Sequence, residues 1–402
     1  LYFKDYQYKK QKLTILKFIP MKKFHLIPLL STLLVALAMN TQRLNAQGCV
    51  AIRHFSSCVG NSLESNLLGK GDLQVGINYR YFKSFRHFKG TEEEADRVAN
   101  NTEVINHSHA WDFFLTYGIS NRLYTSITIP TVINARSSLY EHGRNERYST
   151  FSRGLADIRA GIGYWLFDPS INPNRNIAVG LGLKLPTGNY NATDVFYNVG
   201  PEGSPETRPV DQSIQPGDGG FGFTVDFQFY QKIATGLFAY GGGFYLFNPR
   251  ETNGIRTFRE TLSPILENEA IMAVPDQYSV RTGLSYSLSN VVSTSLGARF
   301  DAVPVKDLIG GNEGFRRPGN VLSLEPGIAY MHQNFTLNLN VPIALRRDRP
   351  QSVTDRQTEI STGTPRNGDA AFADYLINFG VSYRFPKHRA MDIDPSIKDT
   401  FN

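Results

Sequence analysis

Apolar and polar positions alternate with a period of two through much of residues 71–385. The stretch 154–190 shows the pattern most fully. Its first arm sets Ile158, Ala160, Ile162, Tyr164 and Leu166 on one face, against Asp157, Arg159, Gly161, Gly163 and Trp165 on the other. The second arm sets Ile177, Val179, Leu181, Leu183 and Leu185 opposite Ala178, Gly180, Gly182 and Lys184. A helix does not hold such alternation, so both arms are predicted strands, and the Pro- and Asn-rich run from Asp168 to Asn176 is the turn between them. The arms exceed the roughly five or six residues usual in a soluble sandwich. They suit a tilted strand crossing a bilayer, which needs about 9–11 residues.

The same period predicts ten further strands, at 71–82, 109–119, 123–132, 219–231, 235–247, 277–288, 291–304, 319–331, 335–346 and 373–385. The one at 219–231 carries the strongest apolar stripe, Phe221, Phe223, Val225, Phe227 and Phe229. Connections after even-numbered strands are short; those after odd-numbered strands (83–108, 134–153, 187–218, 248–276, 305–318 and 347–372) are long. Short periplasmic turns alternating with long external loops is the outer-membrane barrel pattern. The expected fold is therefore all-β, a transmembrane antiparallel β-barrel of about twelve strands with both termini in the periplasm. The last strand sets Tyr375, Ile377, Phe379, Val381, Tyr383 and Phe385 outward, with an aromatic at each end for the two interfacial girdles.

Composition adds a leader. Met21 opens a secretory signal peptide over 21–46, with Lys22 and Lys23 as its basic region, Leu26 to Met39 as its apolar core, and Leu44-Asn45-Ala46 before the cleavage point. Residues 1–20 read as an upstream extension, 47–70 as a periplasmic N-terminal segment and 386–402 as a C-terminal tail. Residues 1–46 hold eight Lys/Arg and one acid, so of the 42 basic and 36 acidic residues the mature chain keeps 34 and 35. The basic pI of about 9.1 belongs to the leader, and no nucleic-acid partner follows from it. Cys49 and Cys58 are the two cysteines. In an exported chain they are a candidate disulfide; acylation of Cys49, or no special role, are the other readings.

GLADIRAGIGYWLF (154–167) followed by IAVGLGLKLPTGNY (177–190) resembles the paired motif of the outer-membrane barrels associated with the meta-pathway of phenol degradation. TYGISNRLYTSITIP (116–130) is similar to the strand–turn–strand preceding it. The resemblance covers roughly 110–190 and implies a channel for hydrophobic or aromatic compounds. Other barrels of this kind end on a terminal Phe read by the outer-membrane assembly machinery; here Phe385 is followed by the polar tail.

The alternation predicts which charges line the lumen: Arg80, Asp112, Asp157, Arg159, Lys184, Asp226, Arg281, Arg299, Asp301, Glu325, Asp374 and Arg384. These either pair across strands and brace the wall, with Asp157, Arg159 and Lys184 forming one such bridge, or filter solutes by charge. The inward glycines (Gly161, Gly163, Gly180, Gly182, Gly283 and Gly297) either relieve curvature or leave room for a passage. In His107-Ser108-His109 each imidazole points away from the Ser108 side, which disfavours a Ser–His nucleophile; HExxH, GxSxG and CxxC are absent. His107 and His109 share a face but lack a third metal ligand nearby, and the Glu92–Glu94 run reads as a solvated loop tip. The expectation is an outer-membrane channel, not an enzyme, without metal or cofactor, that passes or binds a small hydrophobic or aromatic solute and has the lipid bilayer as its partner. The alternative is a non-transporting surface barrel whose loops bind a partner or serve the envelope.

Overall fold

The computed structural model describes residues 67–387 apart from 260, 261 and 263–268. Cys49, Cys58, the signal peptide and the tail beyond 387 lie outside the described residues. The barrel has twelve staves. These are β1 (Leu73–Lys89), β2 (Ile105–Gly118), β3 (Leu123–Ser138), β4 in two segments (Tyr148–Leu155 and Arg159–Trp165), β5 (Arg175–Lys184) and β6 (Gly222–Ala234). They continue as β7 (Leu237–Phe247), β8 (Gln277–Ser287), β9 (Val292–Val303), β10 (Gly319–His332), β11 in two segments (Phe335–Asn340 and Ile343–Asp348) and β12 (Ala370–Phe385). Each pairs antiparallel with its chain neighbour, and β12 pairs with β1 from Leu73↔Phe385 to Phe88↔Ala370, which closes the cylinder. Closure leaves no free edge, as a wall inside lipid requires.

The two faces of the wall differ as the alternation predicts. The outside is apolar, with Phe113, Ile129, Leu181, Phe227, Leu284 and Leu296 all exposed, Leu181 by 62% and Phe227 by 42%. Such a belt would be a liability in water and is what a bilayer matches. The inside is polar through its middle and apolar near its ends. Trp165, Ala178 and Tyr230, with Leu67, Tyr124 and Phe238 against them, fill the periplasmic end. Phe88, Val303, Val321, Ala344, Ala370 and Phe372 pack near the extracellular rim.

Two of the long loops predicted from sequence prove shorter. β1 runs on to Lys89 and β2 begins at Ile105, so much of 83–108 is wall. Register shifts between Phe82 and Ser84 and between Ser84 and Arg86 mark irregularities in β1 that interrupt its alternation. β3 extends to Ser138 and pairs with the first segment of β4, so 134–153 is mostly a hairpin. Two staves break. β4 leaves the ladder at Ala156, whose N–H still reaches the Pro130 carbonyl at 2.8 Å. β11 breaks at Val341-Pro342, where proline has no N–H to give and its carbonyl takes the Leu376 N–H at 3.0 Å. The loop at 349–369 carries α1 (Val353–Thr362), opened by a Ser352/Asp355 capping box and closed by Gly363 in the left-handed region at φ 67°.

Candidate functional site

The connection between β5 and β6 turns into the barrel mouth. Thr193–Phe196 pairs with Glu206–Pro209 as a short ribbon, and the chain then descends through a single turn at Gln212–Ile214. Asp211 caps that turn by accepting the Ser213 N–H at 2.9 Å. It also receives a two-pronged contact from Arg317, at 2.8 and 2.7 Å, and lies 3.4 Å from Arg136, which grips Glu141 as well. Burial pushes the Asp211 carboxyl up, but Arg136, Arg317 and the Ser213 N–H outweigh it and hold the group well below the usual carboxylate range. Further along, the Ile214 carbonyl takes hydrogen bonds from Asn134 (3.0 Å) and the Ser152 hydroxyl. Gln215 spans back to Val210 (2.9 Å) and Ala192 (3.0 Å). Asp218, at the exit, binds the Lys184 ammonium at 2.6 Å. The inward stretch 211–218 is thus tied to the wall at both ends.

This stretch lies between two cavities. On the loop side is a space lined by Gln212, Asp218, Asn253, Met272, Gln277 and Arg317 among others. On the lumen side is one whose wall includes Arg80, Phe82, Val132, Asp157, Arg159 and Pro216. Ser213 and Gln215 touch both.

The charges around the lower cavity are arranged differently from the expected bridge. Arg159 and Lys184 are direct cross-strand partners, two cations side by side. Lys184 turns to Asp218, which the loop delivers, and Asp157 accepts the backbone N–H groups of Gly188 (3.0 Å) and Asp218 (3.2 Å). Arg159 is left with no hydrogen bond or ion pair among the described residues, although it is only 8% exposed. Arg80 faces Asp112 at 3.9 Å. On the opposite wall, Glu325 lies 3.5 Å from Arg281 and 3.9 Å from Arg299, and Arg299 binds Asp301 at 2.8 Å. Two glycines make space there: a Cβ on Gly283 or Gly297 would come within 2.8 or 2.7 Å of the Tyr240 hydroxyl. Asp226 points inward beside Gly180 and makes no ion pair among the described residues. Asp374 pairs with Arg86 at 3.5 Å near the rim, and half-buried Arg384 sits at the periplasmic end of β12.

His107 and His109 face outward. Tyr81 and Tyr79 place their hydroxyls on the two Nδ1 atoms, at 3.1 and 2.8 Å, and Trp111 stacks beyond His109. Ser108 points inward and donates to Asn134 at 2.8 Å, so hydroxyl and imidazoles stand on opposite sides of the wall. The acidic run at 92–94 is not a free tip: Glu93 binds Arg86, and Glu94 binds Lys89 and Arg97. Among the described residues, one set has metal-ligand spacing and was not read from sequence: His87, Glu94 and Asp369. Its ligand atoms are engaged. The His87 Nε2 accepts the Val104 N–H at 2.8 Å, its Nδ1 faces Asp369, and Arg97 lies 3.1 Å from Asp369 and 3.4 Å from Glu94. The set braces the root of the first loop.

No family model matches the chain, and no curated protein matches it. Among solved structures it is similar to an outer membrane channel from Pseudomonas putida F1, with a TM-score of 0.51 and 10% identity, over 81% of this chain and 100% of that one. The translocator domain of autotransporter NalP from Neisseria meningitidis gives 0.40 and 12%, over 88% and 98%. The toluene transporter TodX of P. putida gives 0.39 and 8%, over 79% and 91%. At these identities the likeness is one of fold. The closed, lipid-belted cylinder is an outer-membrane β-barrel.

Proposed function

We propose that the barrel is a channel that passively passes, or binds in transit, a small solute with a hydrophobic or aromatic body. The observation that carries this reading is the pair of internal cavities with only the stretch 211–218 between them. Displacement of that one loop would join the two spaces into a path inside the strand wall. Phe82, Pro130 and Val132 give the lower cavity an apolar side suited to the hydrophobic class that the motif at 154–190 implies. The fold shared with the P. putida channel supports the general role.

Purified protein in planar bilayers with a lipopolysaccharide outer leaflet should conduct ions, and benzyl alcohol should reduce that current by occupying the path. Vesicles of the same asymmetry should take up labelled benzyl alcohol faster with the protein than without it. A barrel that is electrically silent and adds nothing to uptake would instead support a non-transporting surface protein whose loops bind a partner.

A further inference from the structure

Arg159 stands apart from the other charges on the lower cavity. Lys184 is neutralised by Asp218, Asp157 is filled by two backbone N–H groups, and Arg80 lies against Asp112. The Arg159 guanidinium has five N–H donors in a fixed fork, is more than nine-tenths buried, and has neither a hydrogen bond nor an ion pair among the described residues. Buried cations in proteins are paired, yet the carboxylates that act on this one, Asp112, Asp157 and Asp218, do so without a hydrogen bond to its fork, so its donors are left over for a ligand. The cavity that Arg159 lines is itself two-sided. Beside the polar groups run Phe82, Ala110, Pro130, Val132, Ala156 and Pro216.

We propose that this cavity binds a small monocarboxylate with a compact apolar body, its carboxylate on Arg159 and its body against the apolar side. An Arg fork receives a carboxylate in two parallel charge-assisted bonds, which a neutral hydroxyl cannot reproduce. A second negative charge is disfavoured, because Asp112 and Asp157 stand close by and a single cation lacks a partner. The inference deepens the channel reading and takes from it the route by which the ligand arrives; binding itself can be measured without transport.

The test uses the full chain folded in detergent, with equilibrium dialysis of labelled benzoate and of benzyl alcohol, which has the same ring and no charge. Wild type should bind benzoate at least about tenfold more tightly than the alcohol, as expected for one charge-assisted pair. Arg159→Met should lose that preference, and Arg159→Lys should keep part of it; heat-modifiable gel mobility reports whether each is folded. Equal affinity of wild type for the two ligands overturns the inference, and this comparison stands even where the Met variant does not assemble. Undiminished benzoate binding by folded Arg159→Met overturns it too. Benzoate binding that depends on Arg159 with no flux in vesicles would remove the channel reading and leave the site. Flux of benzyl alcohol without benzoate preference would remove the site and leave the channel.

Discussion

Asp211 shows how much a single side chain can carry here. It joins β3 and the loop before β10 to the stretch that closes the mouth, through Arg136 and Arg317. Neutralising it by Asp211→Asn leaves two guanidiniums around an uncharged amide, and breaking a buried pair in this way costs roughly 3–5 kcal/mol. The expected result is loss of amide-exchange protection over 209–216 with the strands unaffected. The pH dependence follows from the direction of the shift. The carboxyl titrates well below its ordinary 3.8 when the loop is docked, so its contribution is complete above that value and is lost as pH falls below it. Protection in the wild type, corrected for intrinsic exchange, should therefore be equal at pH 7 and pH 5 and should begin to fall toward that of the variant only below about pH 4. Protection unchanged by Asp211→Asn at pH 7 would show that Gln215 and Asp218 hold the loop without it.

At the scale of the strand, β6 offers the sharpest contrast between faces. Phe227 is on the lipid side and Asp226 on the lumen side, one residue away. Phe227→Arg should prevent assembly or cost roughly 2–4 kcal/mol in folding titrations from urea, the range for a charge at the midplane of a barrel wall. Asp226→Asn should fold as wild type, and equal behaviour of the two would refute the facing. This contrast was legible in the sequence because lipid demands apolar residues on every second position. The demand ends where the wall rises out of the bilayer. Residues 134–138, Asn-Ala-Arg-Ser-Ser, belong to β3 yet carry no apolar stripe, and they read as loop. The irregularities in β1 hid Lys83–Lys89 in the same manner, by breaking the count of two. Alternation carries no signal for the partners of the charges: Lys184 finds Asp218 34 residues away and Arg317 finds Asp211 106 residues away, both through loops that have no period.

For the whole molecule, the alternation of short and long connections fixes sidedness. Epitope insertions after Asn145 and Glu202, both exposed on long loops, should be reached by antibody on intact cells, and insertions after Asn174 and Asn290 only after permeabilisation. Labelling of Asn290 on intact cells together with Glu202 would refute the topology. The mouth has one more property, which comes from where its inward loop is attached. Lys184 and Gly222 are cross-strand partners on the same rung of the ladder, so everything between them leaves the wall and returns to it at one place. The loop is in this sense a detachable cassette. A two-residue Asn-Gly turn can span such a rung without altering the register of any stave. A barrel carrying that graft would keep its staves and lose the loop from its mouth, and cassettes of other lengths and chemistries could be fitted to the same rung.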